Sequence, residues 1–277
     1  MTSQRWAAYS AIAGFVTAAL VCLGTISPPR PAVERPDGGH AIAQPQQPVA
    51  AAAPAPVAPV GAAPVATEDG SYGQLRARLH WVLTRVGSAV MPTLDLRSRM
   101  LLAKSAARRA RLDEVGLGFM DVYGIINAET SWVPRRGASK DGTPNLGIAQ
   151  FEPATARALG LQDPDDPVAA VHAAALHMKE AAVWSASRLH GLKLGPAERA
   201  EKLREGVSIY YNLSSRGRAA WNGRNTGQLP RETRLHILNA RIGAQEAALV
   251  EAQLRASRFQ QQNTEAVLTA GDAATGG

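Results

Sequence analysis

Cysteine is almost missing from this chain: Cys22 is the only one in 277 residues. An intrachain disulfide is therefore excluded, and because Cys22 lies inside a hydrophobic run and not beside a histidine, no Cys–His nucleophile is expected. Histidine is sparse and scattered, with six in all. His172 and His177 lie five positions apart, so they do not share a helix face as zinc ligands spaced by four would. There is no Gly-x-Ser-x-Gly and no phosphate-binding loop. Acid is the scarcer charge: 23 Asp and Glu stand against 30 Lys and Arg, a net charge of +7. A basic balance suits nucleic acid, anionic lipid or an anionic cell-wall polymer. With no zinc-finger spacing, basic zipper or aromatic RNA-binding signature, no nucleic-acid partner is expected. No metal or other cofactor is expected either.

The first 26 residues carry an address. Arg5 precedes an uncharged run from Trp6 to Ile26, long enough to cross a bilayer's hydrocarbon core and longer than a usual signal-peptide apolar region. Val21 stands where a lipoprotein acceptor cysteine would need a small residue before it. Residues 1–26 are thus expected to be an uncleaved signal anchor or, alternatively, a cleaved signal peptide. Residues 27–70 hold ten of the eighteen prolines and no aromatic residue. Such a stretch cannot bury enough apolar surface to offset its chain entropy, so it is expected to be a disordered Pro/Ala-rich linker. At about 3.1 Å per residue in polyproline geometry, it reaches on the order of 100 Å. These features predict a chain anchored in the inner membrane and facing the periplasm, or released there after cleavage.

Globular sequence begins near Tyr72. Leu75, Leu79 and Val82/Leu83 fall at helical spacing, predicting a helical prop or domain extension over 71–96. The run 96–111 carries six cations and no acid. It predicts a solvated helix face or, as the sharper alternative, a wall- or membrane-contacting patch. A helix ending near Glu129 follows, then a loop through about Asn145 and a short helix after Pro153. A long Ala-rich helix comes next, with Val168, Val171, Ala175, Met178 and Ala182 on one face; its small residues suit a central position. Two more helices are expected from Pro196 to Tyr211 and from Pro230 to about Ala256, with a frayed tail over 257–277. Strand signals are few. The fold class is therefore mainly α, with one domain over 97–256 that is large enough for a real core.

One carboxylate stands out. Val122, Ile125 and Ile126 form an apolar stripe, and Glu129 takes its i+7 position, so a helix turns this acid toward the apolar side. An unpaired charge there costs several kcal/mol, which predicts a raised pKa. A Glu kept protonated near neutral pH is what a general acid for glycoside cleavage requires. A Glu tilted to solvent at a helix end is the plain alternative.

Later pieces appear in a telling order: "NLGIAQFEPATA" at 145–156, "IYYN" at 209–212 and "LPRETR" at 229–234. The set resembles the soluble lytic transglycosylase family, peptidoglycan-cleaving enzymes with a goose-type-lysozyme-like fold. Glu129 matches the family's catalytic acid, and Thr130 the Ser that follows it. Gly147, Ile148, Ala149 and Gln150 match Gly-Leu-Met-Gln, while Pro153, Thr155 and Ala156 match Pro-x-Thr-Ala. Tyr211 and Asn212 match the Tyr-Asn pair, and Glu232 and Thr233 match Glu-Thr. The resemblance covers roughly residues 100–245.

What it implies is a lysozyme-like domain that cleaves the MurNAc–GlcNAc β-1,4 bond with closure of a 1,6-anhydro ring on MurNAc. Glu129 would be the single acid and base. Thr130, Gly147, Gln150, Glu152, Tyr211, Asn212 and Glu232 are the candidate substrate-binding residues. By residue type, Gly147 permits close backbone approach, Gln150 offers donor and acceptor to sugar groups, and Tyr211 can stack on a ring. Peptidoglycan glycan strands are the expected partner, with secretion or cell-envelope machinery as a further one. Glu152 departs from the family, where Met is common; goose-type lysozymes resemble this chain in having an acid there. Glu152, or Asp141 in the preceding loop, would then serve as second carboxylate of a hydrolytic muramidase. A non-catalytic peptidoglycan-binding or assembly module is the third reading.

Overall fold

The computed structural model describes residues 69–139 and 141–275, with side chains between 71 and 262. The expected anchor over 1–26 and the linker up to residue 68 lie outside them. Among the described residues no helix is long and apolar enough to cross a membrane.

The chain is mainly α. Helix α1 (Asp69–Ala77) leads into a hairpin of β1 (Trp81–Val86) and β2 (Ala89–Leu94), then α2 (Leu96–Arg109) and α3 (Phe119–Thr130). A two-residue ladder, β3 (Gly137–Ala138) with β4 (Pro144–Asn145), closes the following loop. Helices α4 (Pro153–Ala158), α5 (Pro167–Leu189), α6 (Pro196–Asn212), α7 (Ser215–Ala219) and α8 (Arg231–Thr275) complete it.

Local chemistry sets these boundaries. Asp95 caps α2 by accepting from the Ser98 N–H at 2.7 Å. Asp166 caps α5 ahead of Pro167, whose missing N–H is one the first turn could not have used. Asp166 also receives Arg76 of α1 at 2.6 Å, and Tyr72 and Leu75 are buried in the core. Helix α1 is thus part of the domain rather than a separate prop.

The helical element expected over 71–96 stops at Ala77. Trp81 to Leu94 instead form an antiparallel hairpin, with Val86 opposite Ala89 across a Gly87–Ser88 turn. The Leu75/Leu79/Leu83 spacing imitates a helix. The β-branched alternation of Val82, Thr84 and Val86, followed by a turn pair and Pro92, decides against it. At the other end α8 runs to Thr275 rather than fraying after Ala256. The stretch from 257 to 270 lacks Gly and Pro, and nothing in it stops a helix already under way.

Helix α5 occupies the centre, with Val168, Val171, Ala175, Met178 and Ala182 all buried. Helix α8 lies along α3 so closely that a Cβ on Gly124 would meet the Ala240 carbonyl oxygen at 2.3 Å. Only a residue without a side chain permits that crossing. In the cationic run 96–111, Arg97, Arg108, Arg109 and Arg111 are exposed, while Arg99 and Lys104 are half-buried. Arg99 bonds to the Leu94 carbonyl and the Thr93 hydroxyl, Lys104 pairs with Glu251 of α8, and Arg109 lies over the Tyr72 ring at 5.0 Å. Three of the six cations thus hold elements together.

Candidate functional site

Glu129 sits in the last turn of α3, and the chain then leaves the helix abruptly. Ser131 and Trp132 both take left-handed backbone conformations, with φ of 53° and 66°. This reversal drops the Trp132 ring into the core beside Tyr123, with ring centroids 5.0 Å apart. Thr130 faces inward and is 1% exposed; its hydroxyl donates to the Ile148 carbonyl at 2.8 Å. The expected substrate contact at Thr130 is thereby corrected. It pins the next loop to the end of α3, because its position on the helix points it at that loop rather than outward.

The pinned segment is a tight turn. Leu146 and Phe151 exchange both backbone hydrogen bonds, at 3.1 and 3.2 Å, and Gly147 to Gln150 form the connection. Gly147 has φ +72°, and a Cβ there would stand 1.8 Å from the Pro164 carbonyl oxygen. It is buried against protein backbone, so the close approach expected of it serves the turn and not a ligand. Gln150 also has positive φ, 50°. Its amide nitrogen donates to the Arg135 and Gly147 carbonyls at 2.7 and 2.8 Å, so the donor expected for sugar groups is used inside the loop. Arg135 in turn donates to the Glu129 carbonyl at 2.8 Å, linking the turn back to the acid.

Tyr211, near the end of α6, donates to the Ala149 carbonyl at 3.2 Å. Its ring lies nearly parallel to that of His236, 6.4 Å away at 18°, and also meets Phe151 and His177. Burial, and then the negative charge of Glu129, push the Tyr211 phenol well above its ordinary range. Tyr123 is raised in the same direction, by burial and then by its bond to Glu246. The expected Tyr-Asn and Glu-Thr pairs come together through one bond: the Thr233 hydroxyl of α8 donates to Asn212 Oδ1 at 2.8 Å.

The acid is not left unpaired on its apolar face. His236 of α8 places Nε2 2.7 Å from Glu129 Oε1. The two side chains are 6% and 14% exposed, so the pair is largely withdrawn from water. His236 is a partner of Glu129 that the motif order does not supply. It follows Thr233 by three positions on the helix announced by Pro230, hence on the same face, and that spacing was its available signal.

Other candidates stand apart. Asp141 is exposed and spends Oδ1 on the Thr143 N–H at 3.0 Å, a bond that also holds its carboxyl below the usual range. It is a turn residue. Glu152 precedes α4 without capping it through its side chain; it accepts from Ser139 at 2.7 Å. Glu232 is exposed in the first turn of α8. Among the described residues no three His, Cys, Asp or Glu side chains are gathered as a metal site needs.

The raised phenols have a consequence for stability. Tyrosines in the unfolded chain ionise near their ordinary value, about 10, whereas these two hold their protons longer when folded. As pH rises past about 10 the unfolded state sheds protons first, so stability is complete below that pH and falls above it. Tyr211→Phe is expected to flatten the alkaline fall in denaturation midpoint while costing about 1 kcal/mol at neutral pH for the lost Ala149 bond. Denaturant titrations at several pH values check both; an unchanged alkaline slope counts against the buried phenol.

Helices and an inward turn thus define a mainly α protein with one carboxyl–imidazole pair at the meeting of α3, α6 and α8. No family model matches the chain, no curated protein matches its sequence, and no solved structure matches its fold.

Proposed function

We propose that this chain is a peptidoglycan lytic transglycosylase with a lysozyme-like domain, held in the inner membrane by residues 1–26 and facing the periplasm. The observation that carries the reading is the convergence on Glu129. Separate stretches supply the Gly147–Gln150 turn, Tyr211, and the Asn212–Thr233 bond, and all are tied to one another around this acid.

In the proposed reaction Glu129 protonates the glycosidic oxygen between N-acetylmuramic acid and N-acetylglucosamine, and the C1–O bond breaks. The resulting carboxylate takes the proton of the muramoyl C6 hydroxyl, whose oxygen closes onto C1 as a 1,6-anhydro ring. Glu129 ends as it began, protonated. The substrate supplies the nucleophile, so no second carboxylate is required, unlike in ordinary two-carboxylate glycosidases. The engagement of Asp141 in its own turn favours this course over hydrolysis.

Mass spectrometry of muropeptides released from purified sacculi tests the proposal. Products lighter by one water than hydrolytic ones are expected. Reducing ends would make the enzyme a muramidase, with Glu152 the carboxylate to replace next. Glycan binding without released product would leave a binding or assembly module.

A further inference from the structure

We infer that His236 is a positioning residue: a fixed hydrogen-bond donor to Glu129 Oε1 that leaves Oε2 to carry and receive the catalytic proton. This rests on the transglycosylase reading of the site. The imidazole is held on several sides. Thr233, one turn earlier on α8, is tied to Asn212 at the end of α6, and the Tyr211 ring lies parallel to the imidazole. At 6% exposure the ring has little room to swing.

The tautomer follows from the nitrogen that faces the acid. Nε2 is 2.7 Å from Glu129 Oε1, while Nδ1 is buried with no hydrogen-bond partner among the described residues. Nδ1 is left without a partner in either tautomer, but only a proton on Nε2 can bridge to Glu129 Oε1 once the acid has become a carboxylate. A neutral imidazole therefore carries its proton on Nε2 and donates it to Oε1.

That assignment fixes the acid. Oε1 is occupied as an acceptor, so the carboxyl proton belongs on Oε2, the oxygen that gives it to the glycosidic oxygen. When the carboxylate forms, the same Nε2–H stabilises the new charge. Oε2 then accepts the C6 hydroxyl proton. His236 keeps its own proton throughout and touches no substrate atom. The charged and titratable groups nearby are Arg135 from the loop, Tyr211 from α6, and the His177–Glu180 pair of α5 behind Tyr211.

The test has two readouts on the full-length chain. Imidazole ¹⁵N spectra of histidine-labelled protein, with His236→Gln identifying the resonance, are expected to show the Nε2–H form with a bare Nδ1. An Nδ1–H form overturns the proposal, and this readout needs no turnover. The second is kinetic, on a soluble GlcNAc–MurNAc oligosaccharide. His236→Leu is expected to lower kcat by about 100-fold, the lower range for removing one preorganised donor, with KM within about twofold. His236→Gln retains an N–H donor and is expected to recover kcat to within about tenfold of wild type. Wild-type turnover in His236→Leu, with Glu129→Gln inactive, would sink the positioning role while sparing the enzyme. A wild-type chain that releases no product would sink the function and leave the spectra to decide the donor.

Discussion

Glu129→Gln is expected to reduce release of muropeptides by at least about 10³-fold, within the ~10²–10⁴ that a positioned proton donor contributes. The loss should fall on kcat, because the amide can neither protonate the leaving oxygen nor take the C6 proton. Folding should survive: the amide carbonyl still accepts from His236, and no volume changes in the wall formed by Val122, Ile125 and Ile126. Thermal melting of the variant within about 2 °C of wild type would confirm that comparison, since about 1 kcal/mol moves a domain of this size by 2–4 °C. Undiminished product release by Glu129→Gln would remove the proposed function altogether.

The second large effect concerns stability. Gly147→Ala is expected to cost about 3–5 kcal/mol, among the larger values for a single substitution. Two penalties combine. An L-residue held at φ +72° gives up about 1–2 kcal/mol. The new Cβ must also be accommodated 1.8 Å from the Pro164 carbonyl oxygen, a backbone atom that cannot rotate aside. The melting temperature should fall by about 10 °C or more. Activity should fall too, because the same turn presents the Ala149 carbonyl to Tyr211 and holds Gln150 against Arg135. A melting point within a few degrees of wild type would show that the turn is not anchored at Gly147.

Much of the architecture could be read in advance because several helices advertise themselves twice. Val168, Val171, Ala175, Met178 and Ala182 repeat at helical spacing, and Asp166–Pro167 marks where that helix starts. The hairpin is hidden because Leu75, Leu79 and Leu83 keep helical spacing across a boundary marked by the Val82, Thr84 and Val86 alternation and the turn at Gly87–Ser88. At the site, Glu129 and Tyr211 were placed by type and order, and the structure brings them together. The directions of Thr130 and Gln150 were not legible, since a hydroxyl or amide in a loop motif looks the same whether it faces a ligand or a neighbouring carbonyl. For His236 the spacing from Thr233 marks the helix face but not the partner, because the contact with Glu129 spans 107 positions and no local pattern encodes a partner that far away.

That span also sets a timetable. Glu129 meets its imidazole only through α8, and α8 also forms the long contact with α3 in which Gly124 is embedded. Contacts so distant in sequence form late, after the entropy of closing a long loop has been overcome. A growing chain that has emerged only as far as α6 has its acid but not the imidazole that orients it. The carboxyl–imidazole pair therefore forms only once α8 has been made and has docked along α3.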